Sequence, residues 1–379
     1  MGAIRVCHAA DAVVHRGSVR NWCQSGPTGP AGGYGSSAEV EVRFAESDEE
    51  LLRSVESTAK EQCVVVVSRS ECRRLVEELE SGGHRKIVWL ELEAASARRS
   101  DQRALIRGRG VVGYHWAMKV AKYRWELPFL QVRYGVESEQ VGELRLPAGV
   151  GPFPVVALLH GGYWFEQWER DTIEPLAVDL TQRGFATWNI EYRRTGPGGG
   201  GGWPETFEDV AAGVDHLAQL ADTHNLDMTR VAVVGHSAGG QLALWAAARD
   251  SLEDPATGSL PRVKPAWAVS LAGIVDMTHA GERGIGLGAN PVSAVMGGTP
   301  GACPDRYRIA CPSMLPVTTP QLLVQGTLDN PDIVDLNRAY KEGRPEVEFL
   351  EIDGADHFAL VSPEHVAWKR VAELIESRF

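Results

Sequence analysis

Nowhere in the 379 residues does an apolar run approach the roughly 20 residues that a bilayer-crossing helix needs. Arg5, His8 and Asp11 also interrupt the N-terminal stretch, where a secretory signal would carry its apolar core. A cytoplasmic protein without a membrane partner is therefore expected. Cysteine is scarce: Cys7, Cys23, Cys63, Cys72, Cys303 and Cys311 have neither the density of a disulfide framework nor a zinc-type Cys-x-x-Cys pair. Reduced, mostly buried thiols and no metal site are the expectation. Positive charge is in short supply as well, with 38 Lys and Arg against 50 Asp and Glu and a formal net charge of −12. Nucleic-acid binding draws most of its affinity from basic contacts to phosphates, so it is not expected here. With 44% hydrophobic and 23% charged residues, the chain has ordinary globular composition.

The length exceeds what one hydrophobic core usually supports, which points to two domains. Over residues 1–122, short β-branched runs at 4–6, 40–44, 63–67 and 87–92 alternate with helical patterns at 48–60 and 72–80 and a last one from about 110. Such alternation gives a parallel sheet covered by helices. Residues 123–379 open with strand-like runs at 130–134 and 141–146, an antiparallel hairpin. Six apolar runs follow, at 155–159, 186–190, 231–234, 266–271, 321–324 and 347–351. Continuous apolar strands separated by helices imply a mostly parallel sheet buried on both faces, so both domains are of α/β class. The glycine run 198–202 reads as a mobile loop. Residues 274–316 are too long for a plain connection and read as a cap-like insertion.

Gly235-His236-Ser237-Ala238-Gly239 follows one of these strands and precedes a helical pattern at 241–249. A serine centred in Gly-x-Ser-x-Gly at a strand–turn–helix junction is a nucleophile elbow, in which glycine avoids collisions with the neighbouring backbone. A serine hydroxyl needs a base, and the base needs a carboxylate to fix its tautomer. Asp329 lies in a turn after the 321–324 strand, with Asp332 as a competing acid, and His357 follows the last strand. Ser, Asp, His is the chain order of this elbow's triad. An oxyanion hole is expected from the Gly162 or Tyr163 N–H together with that of Ala238, because His160-Gly161-Gly162-Tyr163-Trp164 ends another strand. His160 reads as a structural hydrogen-bonder. Trp164 and His236 are candidates for substrate contact, and Trp188 reads as core. Arg306, Tyr307 and Arg308 read as surface, or as partners of a polar substrate group.

On these motifs, with Glu191-Tyr192-Arg193-Arg194 and Gly202-Trp203-Pro204, residues from about 125 to 379 resemble the α/β-hydrolase superfamily, and within it small carboxylesterases and kynurenine-formamidase-like hydrolases. The resemblance implies cofactor-free hydrolysis of a small-molecule ester, amide or formamide through an acyl-enzyme. One departure is Gln325, where such enzymes commonly carry His before the glycine of the acid turn. An acyltransferase or cyclase with the same triad and a non-water acceptor is the alternative, and a non-catalytic scaffold a further one.

Residues 1–122 resemble a degenerate type II 3-dehydroquinate dehydratase, a flavodoxin-like domain, through Tyr34-Gly35, 40–44 leading into 48–52, and Ile106 to Tyr114. That family needs asparagines and a histidine where this chain has Cys7-His8-Ala9-Ala10, Ser68-Arg69-Ser70 and Glu93-Ala94-Ala95. The resemblance therefore implies a domain without dehydratase chemistry that supports a homo-oligomer.

Overall fold

Valine-rich and isoleucine-rich runs form the strands wherever a helix can cover both faces of the sheet they enter. The computed structural model describes residues 4–8, 40–45, 47–58, 62–68, 86–93, 104–110, 112–252, 260–286 and 290–379. It divides into the units Met1–Leu127 and Pro128–Phe379. Among the described residues no helix is long and apolar enough to cross a membrane.

In the first unit β1 (Ile4–His8), β2 (Val40–Phe44), β3 (Cys63–Ser68), β4 (Ile87–Glu91) and β5 (Ala104–Arg107) pair in parallel in the order β2-β1-β3-β4-β5. This is the flavodoxin-like order. Every residue of β3 and β4 is buried. Helix Asp48–Glu56 starts where Ser47 accepts the Glu50 N–H at 3.2 Å, and its Leu51 and Val55 pack with Cys7, Val64, Val66 and Trp89. It ends four residues before the expected 60. His8, at the carboxyl end of β1, stacks 4.4 Å from Phe44, and its Nδ1 lies 3.4 Å from the Tyr114 hydroxyl on helix Val112–Tyr123. The helical pattern at 72–80, Tyr34, Cys23 and Cys72 lie outside the described residues.

Among its described residues the second unit holds eight strands, at the places the sequence predicts. They are β6 (Leu130–Arg133), β7 (Val141–Arg145), β8 (Phe153–Leu159), β9 (Ala186–Ile190), β10 (Leu226–His236), β11 (Trp267–Leu271), β12 (Gln321–Gly326) and β13 (Glu348–Ile352). They run in the order β13-β12-β11-β10-β8-β9-β7-β6, with β7 antiparallel to both β6 and β9 and the remaining pairs parallel. The central strands β8 and β10 deliver the two loops on which the expected chemistry depends. Helix Ala238–Ala248, Ala-Gly-Gly-Gln-Leu-Ala-Leu-Trp-Ala-Ala-Ala, is buried on every side, as its apolar composition requires. Its one polar side chain, Gln241, donates to the Ala310 carbonyl at 2.8 Å.

Two loop expectations gain definition. Residues 274–316 contain helices Met277–Arg283, Pro291–Met296 and Pro304–Ala310, whose Met277, Val292, Val295, Met296 and Tyr307 belong to the main core. Arg306 donates to the Met296 carbonyl, Tyr307 to that of Gly298, and Arg308 pairs with Asp305, so all three are engaged within the insertion.

The glycine run 198–202, expected as a mobile loop, is instead bound edge-on to 193–195. Arg194 N–H donates to the Gly199 carbonyl, Gly201 N–H to that of Arg194, and Gly198 N–H to Glu166 at 2.7 Å. A Cβ on Gly199 would sit 1.9 Å from the Arg194 carbonyl oxygen. Glycine is there to let two backbones touch, which composition alone does not distinguish from flexibility. Gly199→Ala should therefore destabilise the fold by about 1–3 kcal/mol, read as a lowered midpoint in denaturant unfolding.

Candidate active site

The elbow is a problem of backbone clearance. Between the end of β10 and the helix at 238, Ser237 takes φ 55° and ψ −119°, a left-handed conformation costly for any residue with a Cβ. The neighbours make it possible by being small. A Cβ on Gly235 would lie 1.9 Å from the Gly239 oxygen, and one on Gly239 would lie 2.1 Å from the Leu159 oxygen. Ser237 N–H donates to the Leu271 carbonyl at 2.8 Å, and the Ser237 carbonyl accepts the Gly240 N–H at 2.9 Å, pinning the turn from both sides.

The loop after β8 lies against this turn: a Cβ on Gly161 would meet the Ser237 Cβ at 2.9 Å. Gly162, Tyr163 and Trp164 follow with φ of 111°, 56° and 57°. Ala238 heads its helix, where the first N–H groups have no helical acceptor. Among the described residues no carbonyl accepts the N–H of Gly162, Tyr163 or Ala238. The expected donors thus stand on two loops in contact. Trp164, expected as a pocket wall, is instead fully buried in the main core, because the left-handed turn sends its indole inward. Trp168 packs over Gly162 instead. Trp188 is core, as expected, with its indole N–H on the Gly213 carbonyl at 2.8 Å.

Asp329 and His357 meet directly, His357 Nδ1 lying 2.8 Å from Asp329 Oδ2. Asp329 Oδ1 accepts the Asn330 N–H at 2.6 Å, and Oδ2 also accepts from Gln325 Nε2 at 3.1 Å. Burial works against the Asp329 charge, yet His357 and these hydrogen bonds draw the carboxyl below the ordinary carboxylate range. Asp332, the competing acid, points elsewhere and pairs with Arg283 at 2.9 Å. His236 meets the His357 loop: its Nε2–H donates to the His357 carbonyl at 2.9 Å and the two rings lie 4.5 Å apart. Burial, with the Asp329 charge after it, raises the Tyr163 phenol, so this side chain feels the acid's field. Leu328 and Phe358, beside Asp329 and His357, stay exposed although apolar. Among the described residues no group of three His, Cys, Asp or Glu side chains converges to hold a metal ion.

Beneath the loop lies a feature that sequence reasoning missed. Glu191 Oε1 accepts from His160 Nε2 at 2.9 Å and pairs with Arg194, while its Oε2 pairs with Arg170 at 3.3 Å. Arg170 continues to Glu143 at 3.1 Å, Glu143 to Arg145 at 3.3 Å, and Arg145 to Glu174. All of these except Arg170 are essentially without solvent contact. Three carboxylates face three guanidiniums, so the cluster is neutral without a charge on His160. Burial holds His160 below the ordinary imidazole range against the pull of Glu191, and its ring stacks on Tyr192 at 4.2 Å. The available signal was Glu143-Leu144-Arg145: opposite charges two apart fall on one face of a strand.

The BD-FAE family model matches residues 144–340, just over half of the chain. The chain belongs to the BD-FAE family. That BD-FAE match takes in Gly162, Tyr163, Ser237, Ala238 and Asp329; His357 lies beyond it and is placed by its bond to Asp329. A probable isoprenylcysteine alpha-carbonyl methylesterase of Oryza sativa subsp. japonica is 29% identical over 167 residues, 41% of this chain and 37% of the relative. The match thus spans little more than a third of that relative's length. Among solved structures, a truncated carbohydrate esterase from gut microbiota superposes with a TM-score of 0.56 at 20% identity, over 65% of this chain and 94% of its own. A bacterial heroin esterase does so with a TM-score of 0.52 at 24% identity, over 66% and 82%. These structures agree with this BD-FAE member in fold.

Cutting one link of a buried ionic cluster leaves its partners uncompensated. Glu191→Gln should therefore lower unfolding stability by about 3–5 kcal/mol, measured by denaturant titration. Arg338→Gln, at an exposed pair with Glu351, should leave the midpoint of the same titration nearly unchanged.

Proposed function

We propose that the protein is a serine hydrolase that cleaves a small carboxylic ester through an acyl-enzyme. Ser237 attacks the carbonyl carbon while His357 takes the hydroxyl proton. Asp329 holds the His357 tautomer, with the proton on Nδ1, and stabilises the imidazolium that forms. Backbone N–H groups of Ala238 and of Gly162 or Tyr163 receive the oxyanion. His357 returns its proton to the leaving alcohol, and water then releases the acid by the same route. The observation that carries this reading is the 2.8 Å bond between His357 Nδ1 and Asp329 on a loop that His236, the residue before Ser237, fastens beside the elbow. The names of the relatives, a methylesterase, a carbohydrate esterase and a heroin esterase, support ester over amide. Leu328 and Phe358 offer contact to an apolar part of the substrate. A formamide or other amide uses the same machinery, and a panel of acyl-chain esters and aryl formamides ranks the two.

Ser237→Ala should lower kcat on the order of 10⁶-fold and abolish labelling by a fluorophosphonate, while circular dichroism stays that of the parent. Asp329→Asn should cost on the order of 10⁴-fold, because an amide can stabilise the wrong tautomer of His357. Asp332→Asn, at an exposed pair with Arg283, should leave kcat within a few-fold. Parental turnover in Ser237→Ala would overturn the assignment.

For the first unit the proposal is assembly without chemistry of its own. Its support is a five-stranded sheet among the described residues whose first-strand end carries Cys7 and His8, the latter ring-stacked with Phe44 and with Tyr114, where the resemblance calls for an asparagine loop. Symmetric closure is the common outcome for soluble homo-oligomers. Removing residues 1–127 should lower the subunit count seen by light scattering, and the intact chain should not dehydrate 3-dehydroquinate. An unchanged subunit count, or measurable dehydration, would refute one half of the proposal each.

A further inference from the structure

We propose that Gln325 is a positioning residue for the reaction, its side-chain amide fixing the Asp329 carboxylate that orients His357; this rests on the reading of Ser237, His357 and Asp329 given above. Gln325 stands near the end of β12 with no solvent contact. Its Nε2 lies 3.1 Å from Asp329 Oδ2 and 3.1 Å from the Gly326 carbonyl oxygen. Both neighbours are acceptors only, one a carboxylate and one a carbonyl. The amide is therefore locked with its NH₂ toward the acid, since the flipped amide would set its oxygen against both. The Oε1 atom is the counterpart: it is buried and has no hydrogen-bond partner among the described residues.

A buried unpaired acceptor is unfavourable, and Met or Leu would fill the same space without one. What the glutamine supplies and those residues cannot is a donor. That donor goes to Oδ2, the oxygen that also receives His357 Nδ1. With Asn330 N–H on Oδ1, the carboxylate is held at both oxygens and cannot rotate away from the imidazole. The amide also carries no charge and does not titrate, so it draws electron density from Oδ2 without adding a proton equilibrium beside the acid. Losing it leaves more charge on Oδ2 facing Nδ1–H, which favours the imidazolium.

The test is Gln325→Met in the full chain, with active sites counted by stoichiometric fluorophosphonate labelling. If Gln325 positions the acid, kcat per labelled site falls about 10- to 100-fold at nearly unchanged KM, the scale of one hydrogen bond to a charged group. The acid limb of the kcat–pH profile moves to higher pH, and the thermal midpoint is kept or raised because the unpaired oxygen is gone. Gln325→His, which restores a ring N–H donor, recovers part of kcat above neutral pH. An unmoved acid limb with parental kcat per labelled site overturns the proposal. So does a lost kcat that tracks only a lowered thermal midpoint. Asp329→Asn in the same assay separates the two layers. If it retains parental turnover, the reading of the acid fails. If it is crippled while Gln325→Met is not, only the role of Gln325 fails.

Discussion

The site depends on a contact between two backbones. Gly239, the second residue of the helix after Ser237, runs so close to the end of β8 that a methyl group would meet the carbonyl oxygens of Leu159 and His160 at 2.1 and 2.4 Å. A Cβ on Gly161 would likewise meet the His236 oxygen and the Ser237 Cβ at 2.8 and 2.9 Å. Two glycines are thus spent on bringing the candidate oxyanion loop against the candidate nucleophile, and the parallel pairing of β8 with β10 sets their mutual height. The left-handed φ of Ser237 follows, since a chain that must turn from strand to helix within one residue at this clearance has no right-handed route. Pre-set donors of this kind stabilise developing charge without reorganising during the reaction.

Such a loop must be held from beneath, because three consecutive residues with positive φ have little intrinsic preference for their shape. Glu191 does this through His160, which sits at the loop's base, and through Arg170 and Arg194, which reach neighbouring segments. Replacing a buried ion cluster with apolar residues is often neutral for stability, so its worth here lies in direction. Each charged group meets the next at ion-pair distance, from Arg194 through Glu191, Arg170, Glu143 and Arg145 to Glu174. The acid side is held by smaller means: one amide, one backbone N–H and the His236 bond to the His357 carbonyl.

The strands, the tight turn at Ser237 and the meeting of Asp329 with His357 were legible because each leaves a local signature: apolar runs of strand length, small residues at fixed offsets around a serine, and carboxylate and histidine after successive strands. Trp164 was misread because one left-handed residue reverses the side of the chain on which a large ring falls, and no local pattern marks φ 57° at a tryptophan. The glycines of 198–202 were misread because close approach and freedom of motion call for the same residue. The ion cluster spans Glu143 to Arg194, and its pairing is a property of the closed sheet. For Gln325 the sequence showed only that a glutamine stood before Gly326; its bond to Asp329 needs the turn.

The loop that reads as mobile and the insertion that reads as cap-like are both fastened. The 198–202 loop is tied to 193–195 and to Glu166, and the helices of 277–310 share the main core through Met277, Val292 and Tyr307. Trp203 N–H reaches the Val295 carbonyl at 2.7 Å, and Gln241 on the elbow helix reaches that of Ala310 at 2.8 Å, so the insertion is stitched to both. Lifting these helices away would expose core side chains such as Met277, Val292 and Tyr307. On the proposed reading, selectivity among esters falls to fixed surfaces such as Leu328 and Phe358, exposed beside Asp329 and His357. A rigid apolar rim discriminates by about 1–3 kcal/mol per methylene gained or lost, so such a site accepts a graded series of small substrates more readily than a single one.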